Sequence, residues 1–266
     1  MGLRLSALYL FPVKSLAGIA MPRAEVDRFG LRFDRRWMLV DPSGAFLTQR
    51  TLPRMCLIRP HLEGGRLYLN AAGMPELAVP PVAGQADCRD VTVWGDRVCA
   101  QRCGPQAAGW LSEFLGTDCE LVYFPEDWVR AVDPGYGGAG DRTAFSDGFP
   151  FLLISEASLG DLNDRLGQPL PMLRFRPNLV VAGCPPYAED GWRRIRIGRV
   201  GFRIVKPCSR CAITTVDPES AMKGGEPLKT LSRYRRSGQA VYFGQNAIQD
   251  GPGILRVGEA VEVVER

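Results

Sequence analysis

Most of this chain is written in short apolar runs that alternate with polar residues and stop at glycine or proline. Period-two runs of this kind predict half-buried strands, and 21 prolines with 30 glycines supply the turns between them. The first candidates are Leu5 to Phe11, Ala24 to Phe29, Arg36 to Val40 and Ala45 to Gln49, with Asp41-Pro42-Ser43-Gly44 as a turn before the last. Hairpins are expected at Glu63-Gly64-Gly65 and at Gly95-Asp96, where Val91 to Trp94 leads in and Arg97 to Ala100 leads out. Cys119 to Phe124, Phe149 to Ile154, Leu179 to Ala182, Gly201 to Val205, Gln239 to Phe243 and Ile254 to Val264 continue the series.

Helical spacing occurs in few places. Pro105 to Leu115 carries Ala107, Trp110, Leu111, Phe114 and Leu115 on one stripe, with Gly116 as a stop. Ser155 can cap a helix running to about Leu166, whose N-terminus offers free N–H groups to an anion. Leu228 to Arg236 predicts a short basic helix. Between these, Pro125 to Asp147 is polar and glycine-rich, either a mobile loop beside a pocket or a linker; no Gly-Lys-Ser/Thr follows, which excludes a phosphate-binding P-loop. The expected class is α+β, mostly β, and 266 residues suit two units better than one.

The stretch Lys206 to Pro218, KPCSRCAITTVDP, concentrates the candidate chemistry. Pro207 should break the strand before it, and the β-branched Ile213 to Val216 should resume one, placing Cys211 where a strand restarts. Cys208 and Cys211 have Cys-x-x-Cys spacing. Four readings compete: a four-thiolate zinc site with Cys99 and Cys103, a redox dithiol, a single reactive or metal-binding thiolate, or two buried structural cysteines. Alternation along an extended segment would point the two thiols to different sides. It would also put Arg174, Arg176 and Asn178 on one face.

Composition narrows the chemistry. The one histidine, His61, falls at a hairpin approach and reads as a surface residue, so multi-histidine metal centres are excluded and little room is left for Ser-His or Cys-His nucleophiles. Only four of 33 basic residues are lysine (14, 206, 223 and 229), and arginine suits bidentate phosphate recognition. A net charge of +4 points to a small anionic ligand and not to nucleic acid. Eight cysteines in this length are too sparse for a disulfide scaffold. No apolar run reaches membrane-spanning length, and the apolar start alternates like a strand, so no membrane association and a cytoplasmic, reduced protein are expected.

The central string, with Arg176-Pro177-Asn178 and Tyr187-Ala188-Glu189-Asp190 before it and Phe243-Gly244-Gln245-Asn246 after it, resembles the MOSC domain. Pro12-Val13-Lys14-Ser15-Leu16 and Asp34-Arg35-Arg36-Trp37 resemble the β-barrel domain that precedes MOSC in the mitochondrial amidoxime-reducing component family. The resemblance implies an N-terminal β-barrel-like domain over 1–120 and a MOSC β-barrel with peripheral helices over 121–266. It implies the molybdenum cofactor, molybdopterin with molybdenum, ligated by Cys211. Lys14, Ser15, Arg35, Thr48, Arg50, Glu156, Ser158, Arg176, Asn178, Ser209 and Arg210 fall at positions that face the cofactor. The implied reaction is reduction of small N-hydroxylated substrates. No iron–sulfur or flavin motif is present, so a separate electron-donor protein is expected to serve a monomer. The competing function is a sulfur carrier or cofactor-handling protein holding a persulfide on Cys211.

Overall fold

The computed structural model describes residues 2–80 and 87–266. The strands run β1 (Arg4–Leu10), β2 (Ile19–Met21), β3 (Arg23–Asp27), β4 (Gly30–Leu31), β5 (Trp37–Val40), β6 (Arg59–Glu63), β7 (Arg66–Asn70), β8 (Leu77–Ala78), β9 (Cys88–Val93) and β10 (Asp96–Arg102). Helix α1 (Pro105–Leu115) follows, then β11 (Glu120–Tyr123), β12 (Phe151–Ser155), α2 (Glu156–Asp164), β13 (Leu179–Ala182), β14 (Arg194–Ile197) and β15 (Val200–Ser209). A four-residue α3 (Leu228–Leu231), β16 (Arg236–Ser237), β17 (Ala240–Gln249), β18 (Gly253–Arg256) and β19 (Val261–Glu265) complete the chain. The fold is mostly β, as the alternation predicts.

The largest sheet is ordered β19-β14-β15-β17-β12-β13-β1-β2, with β16 on β17. Its ends curl towards each other: Leu5 N–H donates to Glu259 O at 2.9 Å and Val261 N–H to Leu3 O at 2.9 Å. Leu5, Leu8 and Leu10 from the start of the chain share one core with Phe151, Leu153, Leu179, Phe202 and Ala247 from its later part. A second core packs α1, through all five residues of its predicted stripe, against Trp37, Leu39 and Leu121. Gly116 ends α1 in the left-handed conformation, φ 68°, that a side chain would oppose. Both small hairpins form. The second turns one residue earlier than expected, with Val93 opposite Asp96 and Trp94-Gly95 between them.

Four local expectations are corrected. Ala45 to Gln49 is no strand and makes only isolated bridges, Phe46 to Val40 and Ala45 to Thr92. Pro207 does not end its strand: β15 continues to Ser209 because the ladder with β17 bulges on both sides of the proline, where a missing N–H is tolerated. Ala212–Thr215 is a 3₁₀ turn and not a strand. The hydroxyls of Thr214 and Thr215 donate back to Cys211 O and Ala212 O at 3.0 and 2.8 Å, a local bond that overrides the β preference of branched residues. Finally, the basic helix stops at Leu231 and the chain re-enters the sheet at β16. Among the described residues, no helix is long and apolar enough to cross a membrane.

Candidate cofactor site

A cleft lies where the N-terminal segment meets the β12–β13 and β15–β17 edges. It is lined by Lys14, Ser15, Arg35, Arg176, Asn178, Ser209, Arg210 and both Cys208 and Cys211, together with Ser146, Asp147, Phe149, Phe175 and Asn246. Four cations face one carboxylate on its walls.

The backbone is bent to build these walls. Of the seven described non-glycine residues with positive φ, Ser15 (65°), Arg35 (48°) and Arg176 (58°) line the cleft. Trp94 (55°) reaches the Lys14–Asp147 pair from its hairpin turn. Left-handed backbone is costly for such residues, so its gathering around one cleft marks a site the surrounding fold must enforce. Arg176 also explains why the expected alternation fails. Met172–Phe175 is a 3₁₀ turn, so Arg174 swings away to Asp217, at 2.9 Å, while Arg176 and Asn178 turn into the cleft.

Two half-buried arginines share a platform. The guanidiniums of Arg35 and Arg176 lie 4.5 and 4.3 Å from the centre of the Phe11 ring. The ring itself fits only because residue 18 is glycine: a Cβ there would sit 2.3 Å from Phe11 Cε1. Arg35 donates to Asp34 at 2.5 Å, to Asn178 Oδ1 at 3.0 Å and to Arg176 O at 3.2 Å; Arg176 donates to Leu16 O at 2.6 Å. Asn178 is held in turn by Leu152 N–H and Tyr9 O. Burial, then the like charge of Arg35, works against the charge of Arg176, a penalty that an incoming anion would relieve.

Lys14 is buried, and its ammonium donates to Phe145 O at 2.9 Å and to Asp147. Burial pushes its pKa down, and Asp147 opposes that shift. The Asp147 carboxyl is held below the usual range although its side chain is exposed: partial loss of water would raise it, but the ammonium of Lys14, then Arg50 and the Trp94 indole N–H, outweigh that. Nothing in the pattern of the Pro125 to Asp147 loop marked Asp147; the loop does border the pocket.

The two cysteines enter this cleft together, so alternation does not separate them. What separates them is their partners. Arg210 donates to Cys208 Sγ at 3.0 Å and to Phe175 O at 2.7 Å, while Arg50, which does not itself line the cleft, reaches Cys211 Sγ at 3.5 Å. Arg50 is itself stacked on Trp94, 4.5 Å from the ring centre, and carried by a turn in which Thr48 Oγ1 accepts from Arg50 N–H. Thr48 thus supports Arg50 and does not line the cleft.

Two further expected residues, Glu156 and Ser158, lie outside the cleft. Glu156 is exposed in the first turn of α2. Ser158 is fully buried, and its hydroxyl bonds Glu189, Ser155 and Tyr187 N–H, each at 2.7 Å. The anion that the α2 N-terminus should attract is supplied internally, since Glu189 Oε1 also accepts from Ser155 N–H at 3.0 Å. The zinc reading is not supported either. Cys103 is buried in the core under α1, with its thiol pushed up to about 12 by burial. Among the described residues, no group of three or more His, Cys, Asp or Glu is placed to hold a bare metal ion.

Fold and site together define a class: a β-barrel protein that presents a solvent-reached thiol inside a cleft walled by lysine and arginines. Comparison with known proteins places it further. Residues 2–118 match the MOSC N-terminal beta barrel domain and residues 140–262 the MOSC domain. Mitochondrial amidoxime-reducing component 1 of Mus musculus is 40% identical, over 96% of this chain and 80% of that protein; the Homo sapiens component 1 is 38% identical, over 96% and 81%. Molybdenum cofactor sulfurase of Danio rerio is 33% identical over 97% of this chain, which spans 34% of that protein. The chain belongs to the MOSC family with an N-terminal β-barrel domain, alongside the mitochondrial amidoxime-reducing components.

Proposed function

We propose that this protein is a molybdenum-cofactor-dependent oxidoreductase that reduces N-hydroxylated compounds with electrons from a separate donor protein. The observation that carries the reading is the Cys211 thiol set opposite Arg50 in a cleft whose walls hold four cations against one carboxylate. Such a donor set suits a metal that arrives inside an anionic organic ligand: a soft thiolate for the metal, guanidiniums and an ammonium for phosphate and polar ring edges. The buried Arg210 Nε, which has no partner, fits the same reading. The relatives' names supply the substrate class, and their similarity spans nearly the whole chain.

In this reading Cys211 ligates the molybdenum. Arg35 and Arg176, fixed on Phe11, would hold the anionic periphery; Lys14 would do the same, kept in place by Asp147. Asn178 orients Arg35, and Arg50 keeps a donor directed at the Cys211 sulfur. The cofactor, when bound, supplies two-electron redox chemistry. For a hydroxylamine the balance is one N–O bond broken, two electrons and two protons consumed, and one amine and one water formed.

The two cysteines test this. Cys211→Ala should abolish reductase activity, at least a hundredfold, and remove one sulfur from the metal's coordination. Cys208→Ala should fold and keep appreciable activity, since its sulfur serves Arg210. X-ray absorption at the molybdenum edge, with elemental analysis, reads both. Loss of a sulfur in Cys208→Ala with none lost in Cys211→Ala would refute the assignment. A persulfide on Cys211 without molybdenum would instead favour the sulfur-carrier function.

A further inference from the structure

The formal charge of +4 is unevenly placed. Over much of the surface arginines meet carboxylates, as in Arg203 with Asp141 and Asp250, Arg196 with Glu262 and Arg59 with Glu219. One face departs from this. Beside the Cys208-Ser209-Arg210 turn lies a shallow groove lined by Arg210, Lys229 and Arg236, with no carboxylate among its walls. A second groove joins it through Arg236 and adds Lys206, Arg235 and three tyrosines, Tyr136, Tyr234 and Tyr242. Its one carboxylate, Asp190, is occupied by Arg235 at 2.6 Å and by Gln245 Nε2 at 2.6 Å. Lys206 rests 4.3 Å from the Tyr136 ring centre, and Arg236 Nε bonds Gly238 O. Five cations thus face one carboxylate, an excess as large as the formal charge of the whole chain.

The position of this face matters as much as its sign. Ser209 and Arg210 line both the first groove and the thiol cleft, so the cationic face begins at the rim of the candidate site. Clustered like charge raises the local concentration of oppositely charged macromolecules and speeds their encounter. Tyrosine and arginine are the side chains most suited to a protein interface, and small, electrostatically steered contacts are typical of electron carriers. Electron transfer falls steeply with distance, so a donor has to dock next to the cleft it serves.

We propose that the face formed by Lys206, Lys229, Arg235 and Arg236 is the docking surface for an acidic electron-carrier protein. This rests on the oxidoreductase reading and adds where the electrons enter. A one-electron carrier would dock there twice for each N–O bond reduced.

The test uses the cofactor-loaded protein and the double variant Lys229→Glu/Arg236→Glu, both positions lying outside the thiol cleft. Binding of an acidic ferredoxin is measured at low and high salt, beside a basic cytochrome c, a single-stranded oligonucleotide and phosphatidylserine vesicles. We expect the ferredoxin to bind the parent protein, with affinity falling as salt rises, and to bind the variant at least about tenfold more weakly. Unchanged ferredoxin affinity in the variant, or tighter binding of oligonucleotide or vesicles than of ferredoxin, would overturn the proposal. Turnover driven by reduced methyl viologen should be equal in both proteins. Its absence in the parent protein would count against the oxidoreductase reading, while the binding result would still decide the docking face.

Discussion

At the scale of single residues, Lys14 and Asp147 show how this site holds charge before a ligand arrives. The ammonium is buried, and its partner carboxylate has a side chain 64% exposed, so solvent screens the pair and its contribution to stability is modest. Its direction with pH is still defined. A carboxyl held below its unfolded value contributes stability that is present above about pH 4 and lost as the pH falls toward the folded value. Asp147→Asn should therefore lower stability at neutral pH, by stranding Lys14, and flatten the acid limb of the stability curve. Denaturant unfolding from pH 7 to pH 2 measures both; a variant that loses stability with acid as steeply as the parent would show that Asp147 is not the group responsible. Phe11 and Gly18 make a related point: neither is polar, yet both are needed for two guanidiniums to rest on one ring.

At the scale of elements, α2 shows a helix start already satisfied from within. Ser155 caps it through Ser158 N–H at 3.0 Å, and the buried Glu189 takes the place of an external anion. Ser158 accordingly reads as a structural hydroxyl. Ser158→Ala removes bonds to Glu189, Ser155 and Tyr187 N–H inside the protein and should cost about 1–3 kcal/mol. Molybdenum content per folded chain should stay the same. Urea unfolding and metal analysis on one preparation separate the two effects, and loss of metal without loss of stability would return Ser158 to the cofactor. The 3₁₀ turn at Ala212–Thr215 has the opposite logic, since its threonines fold back on Cys211 O and Ala212 O and fix the backbone that carries the thiol.

At the scale of the whole molecule, the two ends of the chain are woven together. β1 pairs with β13 and reaches the start of β19, and β3 pairs with β18. The cleft needs both parts, because Lys14 and Arg35 come from the first and Arg176, Cys208 and Cys211 from the second. A fragment of residues 121–266 would expose the β13 edge and the apolar surfaces that Leu5, Leu8 and Leu10 cover. We expect such a fragment to aggregate or lack cooperative unfolding, and co-expression with residues 1–120 to restore it. A sharp thermal transition from the fragment alone would count against this.

What the sequence by itself determined is local or carried by recognisable motifs. Alternation and turn chemistry give β1, both hairpins, β13 and the β class of the fold; helical spacing gives α1 and all five of its buried residues. The motifs name Lys14, Ser15, Arg35, Arg176, Asn178, Ser209, Arg210 and Cys211, and the structure gathers these eight into one cleft. Tertiary structure alone decided the rest. Arg176 entered the cleft because a left-handed residue undid the alternation that would have grouped it with Arg174. Asp147 and Trp94 joined because a loop and a hairpin remote from Lys14 in sequence pack against it. Glu189 displaced the ligand expected at α2, and back-bonded threonines replaced a strand with a turn. In each case a contact between distant segments, or a side chain bonding to backbone, outweighed a local preference worth about 1 kcal/mol or less, and a period of two or 3.6 residues carries no record of such contacts.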